Sequence, residues 1–339
     1  MAPCDSMDLW VPWFFPFSYF VILYSIVVSF AYFEEEKCVP RDKNKTHHFI
    51  LPFLASLGLA SAFADSSACS GTCVNTHDQS LFRRGSDGTY YRFATGDWTP
   101  IFSAPSLTGD WTYLGEVSPS GSSNAKSGHY LDCSVSSLGA WNSAIGVASS
   151  PNMDPGTWTD HESTGIESSS GHLYNAIDGN LFITSSDTNL LTFGYFYGDE
   201  AGDVYNIEYN ATGTRPSEGP FLFEYGDYHY LFWSSWSYCG YNSDRHAPGD
   251  GYKVMVCRSS SATGGFVDAS GRACTDGGST LVLGSRGNVY GPGGQSIFND
   301  PSEESVLVYH YVDTTIGYAD GAKRLGINKI NFSIGWPVV

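Results

Sequence analysis

The chain has 339 residues, and its 35 Asp and Glu against 17 Lys and Arg leave a net charge of −18. No basic stripe is present to neutralise phosphates, which excludes nucleic acid as a partner. Aromatic residues make up 15% of the chain and glycine fills 38 positions, the profile of many short strands joined by tight turns.

Two apolar segments open the chain. Leu9–Phe33 runs without a single charge and is followed by Glu34, Glu35 and Glu36. It is long enough to span a bilayer, although Pro12 and Pro16 weaken its first turns. Phe49–Ala64 follows Arg41, Lys43, Lys45, His47 and His48 and ends in Ala62-Phe63-Ala64, a small-residue cleavage pattern. Residues 47–64 therefore read as a complete export signal, and residues 65–339 as the secreted, extracellular domain. Residues 1–46 read as an addition upstream of that signal. If residues 9–33 are retained, the protein is membrane-anchored instead, and only then does it meet a membrane. Neither segment is expected to belong to the fold.

The chain beyond Ala64 is long enough for one large all-β domain with a real core. A turn followed by an aromatic-rich strand recurs five times. The copies are GTYYRFATG from Gly88, GHYLDCSVS from Gly128, TNLLTFGYF from Thr188, GDYHYLFWSS from Gly226 and ESVLVYHYV from Glu304. Recurrence of one strand type predicts a five-bladed β-propeller, each copy an inner or middle strand of a blade. A blade needs roughly 40 to 50 residues. The intervals from Gly88 to Gly128 and from Thr188 to Gly226 are tight by that measure. A β-sandwich with long loops is the alternative.

Eight cysteines are present: Cys4, Cys38, Cys69, Cys73, Cys133, Cys239, Cys257 and Cys274. Cys69 and Cys73 have no partner pair at zinc-ligand spacing. Disulfides suit an exported chain, and Cys257 with Cys274, flanking a Gly-rich loop, is the first candidate pair. Sequons stand at Asn44, Asn210 and Asn331.

Four acids sit in matching contexts beside the repeats. Asp78 lies in Thr76-His77-Asp78 before the first copy, and Asp178 in Asn175-Ala176-Ile177-Asp178 before the third. Glu218 lies in Ser217-Glu218-Gly219-Pro220 before the fourth, and Asp313 follows the fifth. Acids at equivalent points of several blades converge on one end of the central channel. Glycoside cleavage needs one protonated acid for the leaving oxygen and one ionised base or nucleophile, and a third charge helps to keep the acid protonated. Taken singly, each is more simply an Asx-turn or strand-end acid. Glu218 also precedes a nearly continuous aromatic strand, surroundings that disfavour its charged form.

From Asp65 to Val339 the chain resembles the secreted fungal arabinan endo-1,5-α-L-arabinosidases of glycoside hydrolase family 43. The resemblance is carried by ACSGTCVNTHDQS, NSAIGVASSPNMDPGTWTDH, YNAIDGNLF, SEGPFLFEYGDYHYLFWSS, VMVCRSSSATGGFVD, VYGPGGQ, VYHYVDTTIGYADG and the closing Gly335-Trp336-Pro337. It implies a five-bladed propeller and an inverting mechanism on arabinan or arabino-oligosaccharides. Asp78 then resembles the general base, Glu218 the general acid, and Asp178 the third acid that tunes and orients Glu218. Asn175 and Asp178 would line the sugar site, with Phe196 and Tyr197 giving ring surface against it. His310 resembles the residue at the propeller axis associated with calcium or a similar ion, the alternative being a core histidine satisfied by its neighbours. A monomer is expected.

Two departures stand beside these matches. A Trp-Ala-Pro-Asp segment of the family is absent where residues 119–126 run straight into Ser127-Gly128-His129-Tyr130, and a strand is missing between Gly198 and Arg215. The expected propeller therefore lacks two blade segments. Gln79, where the family usually has Pro, reads as a minor change beside the base. An exo-acting arabinofuranosidase or xylosidase on the same fold, and an inactive sugar-binding propeller, are the alternative functions. Phosphate chemistry finds no support, because Gly291-Pro292-Gly293-Gly294-Gln295 lacks the following Lys and helix.

Overall fold

The computed structural model describes residues 20–26, 63–96, 98–122, 143–168, 174–185, 187–194, 206–210, 217–236, 240–247, 249–301 and 304–339. In chain order its strands begin with β1 (Phe20–Ile26), β2 (Ser80–Arg83), β3 (Tyr90–Phe93), β4 (Pro100–Ala104) and β5 (Thr112–Glu116). Next come β6 (Ala144–Ser150), β7 (Thr159–Glu167), β8 (Ile177–Ile183), β9 (Asn189–Gly194), β10 (Ser217–Tyr225) and β11 (Tyr228–Ser235). The last are β12 (Lys253–Ser259), β13 (Thr280–Leu283), β14 (Val289–Asp300), β15 (Glu304–Asp313) and β16 (Arg324–Lys329). Apart from two three-residue 3₁₀ turns, no helix is formed among the described residues. The all-β expectation holds.

The strands pair antiparallel in five sheets, β2-β3-β4-β5, β1-β6-β7, β8-β9, β10-β11-β12-β13 and β14-β15-β16. The aromatic repeats are β3, β9, β11 and β15, each the second strand of its sheet; the copy from Gly128 lies outside the described residues. Successive side chains of a strand point to opposite faces, and both faces are buried here. On β11 and β12, Tyr230, Phe232, Val254 and Val256 enter one cluster with Leu307 and Tyr309 of β15. Their neighbours Leu231, Trp233, Met255 and Cys257 enter another, against Phe182 and Leu190 of β8 and β9. That is why these strands read as nearly continuous apolar runs. Val306, Val308, Leu325 and Ile327 of the last sheet pack in turn on Leu81, Tyr90 and Phe102 of the sheet that opens at Ser80. Tyr91, Phe93 and Ile101 of that sheet meet Ala148 of β6.

Part of the first apolar segment, expected to stand apart, is paired within the fold. Phe20 to Ile26 face Ser150 to Ala144 in register along β6. An unpaired β6 edge would expose a row of backbone donors and acceptors, and the Val-, Ile- and Tyr-rich run of β1 suits that place. Most of the remaining N-terminal residues lie outside the described residues. No helix of the described residues is long and apolar enough to cross a membrane. Cys257 and Cys274 form the expected disulfide, and Cys69 pairs with Cys73. The other four cysteines lie outside the described residues.

Candidate active site

Three carboxylates stand at or just before the first strand of three different sheets. Asp178 and Glu218 are each the second residue of their strand, β8 and β10. Both sit at a slip in strand pairing, between Ile177 and Asn180 and between Glu218 and Phe221. Such a bulge re-aims a side chain out of the ladder. The local cause is legible: a glycine follows each acid, and Asp178 (φ 55°) and Gly219 (φ 57°) adopt the left-handed region that a bulge of this kind needs. The two bulges are tied together, because the Gly219 N–H donates to Asp178 Oδ2 at 3.0 Å.

Asp78 is held by a different device. It lies two residues before β2 with φ 42°. Its N–H donates to His310 Nδ1 at 3.2 Å, and Thr95 Oγ1 donates to its Oδ2 at 3.2 Å. Gln79 beside it is buried, and its role is larger than the sequence suggests. Its amide nitrogen donates to the Tyr309 carbonyl (3.0 Å), while its oxygen accepts from Thr76 Oγ1 (2.8 Å) and the His77 N–H (3.0 Å). The fully buried Arg92 donates to the same Thr76 hydroxyl at 2.8 Å and stacks 4.0 Å over the Phe102 ring. The backbone around Asp78 is thus held inside a buried polar network, an arrangement that rigidifies most when fully satisfied.

The carboxylates act on one another. Burial, and then the charge of Asp178, pushes Glu218 up to about 8. Burial, and then the charge of Asp78, pushes Asp178 up to about 7. Asp78 is also raised by burial, with Lys323 and the Thr95 hydroxyl acting against it. Like charges in one low-dielectric site cannot all ionise together, so protons are shared out among them. Glu218 keeps its proton to a higher pH than Asp178 does.

Several residues of this site were not singled out from the sequence. Tyr252 donates its hydroxyl to Glu218 Oε2 at 2.8 Å and stacks on the His310 ring with centroids 5.9 Å apart. Lys323, with no exposed side-chain surface, pairs with Asp320 at 3.0 Å and is pushed down to about 8 by burial. Its charge lowers both Asp78 and Glu218. The run Gly293-Gly294-Gln295 enters the site from β14: a Cβ at Gly294 would overlap Asp78 Oδ1 and the His310 ring, and one at Gly293 would overlap Tyr252. The sequence signal for this run was its glycine density, and the reason for it is close approach, not phosphate binding.

The other expected site residues fall as follows. His310 is wholly buried on β15 and is held neutral, its pKa well below the usual histidine range because of burial first and Lys323 second. Asn175 is buried, and its Oδ1 accepts from the Ser143 and Ser168 hydroxyls. Phe196 and Tyr197 lie outside the described residues. Asp313 turns out to be an Asx-turn acid, its Oδ1 accepting from the Thr315 N–H (3.0 Å) and hydroxyl (2.6 Å); the site residue of β15 is His310.

An all-β domain with three buried carboxylates at its strand starts, Asp78 raising Asp178 and both raising Glu218, is built for the acid–base chemistry of a glycoside hydrolase. The chain belongs to the glycosyl hydrolases family 43, whose model matches residues 74–337. It is 52% identical to arabinan endo-1,5-alpha-L-arabinosidase A of Aspergillus aculeatus, across 85% of this chain and 97% of that one. It is 51% identical to the probable arabinan endo-1,5-alpha-L-arabinosidase A of Neosartorya fischeri, across 83% of this chain and 95% of that one. Among solved structures, Cellvibrio cellulosa alpha-L-arabinanase complexed with arabinohexaose aligns with a TM-score of 0.64 at 25% identity, covering 79% of this chain and 96% of that one. The GH43 endo-arabinanase from Bacillus licheniformis aligns with a TM-score of 0.63 at 25% identity, covering 80% and 99%.

Proposed function

We propose that this chain is an inverting endo-acting hydrolase of the internal α-1,5-L-arabinofuranosidic bonds of arabinan. One arrangement carries the reading: Asp178 and Glu218, at the bulges of two sheets, are tied through the Gly219 N–H, and burial with the charge of Asp178 pushes Glu218 up to about 8. Glu218 is then the general acid. Tyr252 occupies its Oε2, so the transferable proton sits on Oε1. Asp78 is the general base. It takes a proton from a water that attacks the anomeric carbon opposite the leaving oxygen, while Glu218 protonates that oxygen as the glycosidic bond breaks. Asp178 orients the donor through the Gly219 N–H and raises its pKa. The carboxyls of Asp78 and Glu218 are expected about 6.5 to 9.5 Å apart, which leaves room for the water.

The five sheets are read as the blades of a five-bladed propeller, with the acids of three blades at one end of its axis. The second and third blades are the ones shortened by the two tight sequence intervals. Phe196, Tyr197 and Asn175 are assigned to the sugar site. For calcium, the donor set decides: the ion takes six to eight oxygens, and no three His, Cys, Asp or Glu side chains of the described residues gather as ligands. Among the described residues these side chains alone therefore do not cage calcium; an ion at the axis would take the neutral His310 imidazole and, beside it, oxygen donors. No step above runs through it. Two disulfides fit a secreted enzyme in an oxidising compartment, and we read it as a monomer.

Debranched arabinan tests the assignment, with proton NMR reading the first anomeric signal. The wild-type chain should release oligosaccharides whose new reducing ends are first β, and Glu218→Ala should be slower by about 10²–10⁴-fold. Negligible release from both would sink the enzyme reading. A first product in the α configuration would sink inversion, and release of arabinose alone from the outset would sink endo action.

A further inference from the structure

Gln295 stands where the pairing of β14 with β15 slips, within the run from Gly293 to Ser296. It is 5% exposed, and both ends of its amide are used. Its Nε2 donates to the Gly219 carbonyl at 2.7 Å, and its Oε1 accepts from Ser234 Oγ at 2.5 Å. Ser234, wholly buried on β11, accepts in turn from the Gly294 N–H at 2.8 Å. On its other side Gly219 gives its N–H to Asp178. Both polar groups of the residue that follows Glu218 are thus gripped by side chains from two other sheets, those of β8 and β14. Gly219 lies at a bulge with φ 57°, where the strand ladder itself does not hold the backbone. An amide alone both donates to a carbonyl and accepts from a hydroxyl at this place; a carboxylate would face the carbonyl with like charge, and a thioether would leave both partners unsatisfied.

We propose that Gln295 is a positioning residue for the proton donor: by clamping the Gly219 carbonyl it sets the orientation of Glu218 toward the leaving oxygen. The proposal rests on Glu218 being that donor. Proton transfer depends on placement, and a shift near 1 Å costs about a hundredfold in rate.

The test compares wild type, Gln295→Met, Gln295→Glu and Glu218→Ala on debranched arabinan and on a dinitrophenyl α-1,5-arabinotrioside, whose leaving group departs without a proton. Gln295→Met should lower kcat on arabinan by at least about tenfold with KM within about twofold, and most of that loss should vanish on the dinitrophenyl substrate. Gln295→Glu keeps the shape and the acceptor for Ser234, and should show the same substrate-dependent loss. Equal losses on both substrates would mean a general distortion and overturn the proposal, as would wild-type kcat on arabinan in either variant. Glu218→Ala serves as the reference. If its own loss is equal on the two substrates, the donor assignment has failed; if only the Gln295 variants lack the substrate dependence, the clamp has failed alone.

Discussion

A proton held on Glu218 ties the chemistry of the site to the stability of the fold. The carboxyl is raised to about 8 by burial and Asp178, so the folded chain binds this proton more tightly than the unfolded chain does. Stability from this source is fully present below the ordinary glutamate range and is lost as pH rises toward 8. Asp178, raised to about 7, acts in the same direction. Glu218→Gln should therefore flatten the fall in Tm between roughly pH 5 and pH 8, and raise Tm at pH 8 by about 2–8 °C. A melting profile as steep as the wild type's would show that the carboxyl ionises freely. For catalysis the sign is the same: kcat/KM should fall as pH rises through about 8 and Glu218 loses its proton. The candidate acids were legible as residues because each stands beside a glycine or a turn before a strand. Their unequal pKa shifts were not, since Asp78 acts on Asp178, and both act on Glu218, across long stretches of chain.

At the scale of an element, the first half of β14 is shaped by what it must pass. Gly291, Gly293 and Gly294 approach Tyr241, Tyr252 and the Asp78–His310 pair so closely that a Cβ at any of them would overlap its neighbour. Gly294 also has φ 57°. Gly294→Ala should lower kcat by about a hundredfold or more through displacement of Asp78. Gly226→Ala, in the hairpin turn between β10 and β11 with φ 60° and open space around it, carries a similar backbone strain of about 1–2 kcal/mol. It should keep wild-type kcat while losing stability. Equal kcat losses in the two variants, measured well below their Tm, would attribute the Gly294 effect to strain alone. The glycine run was visible in the sequence, but its purpose was not, because the atoms that exclude a side chain come from β2's lead-in, the loop before β12 and β15.

For the molecule as a whole, the residues on either side of the expected cleavage point, Ala64 to Cys73, clasp the last strand. Asn328 of β16 is buried, donates to the Ala64 and Asp65 carbonyls at 3.2 and 2.9 Å, and accepts from the Tyr309 hydroxyl at 2.7 Å. The Ser67 N–H reaches the Ile327 carbonyl at 2.8 Å, and the Leu325 N–H the Cys73 carbonyl at 3.0 Å. Asn328→Leu should cost about 1–3 kcal/mol, because it takes the acceptor from the buried Tyr309 hydroxyl and the donor from the Ala64 and Asp65 carbonyls, and should lower Tm by several degrees without changing KM for arabinan. Calorimetry decides it, and an unchanged Tm would mean that the clasp holds nothing.

By itself the sequence determined the all-β class and the aromatic strands β3, β9, β11 and β15, and it offered Cys257–Cys274 as the first pair and four acids as candidates. Each of these is written locally: short, nearly continuous apolar runs, turn residues, and acids just ahead of the strands. Tertiary structure alone decided that Phe20–Ile26 lies along β6, that Asp313 closes a turn while His310 faces Asp78, and that Tyr252 bonds Glu218 while Gln295 bonds the Gly219 carbonyl. Those outcomes depend on which backbone groups are left unpaired once the sheets pack. Contacts between residues far apart in the chain carry no mark in local pattern.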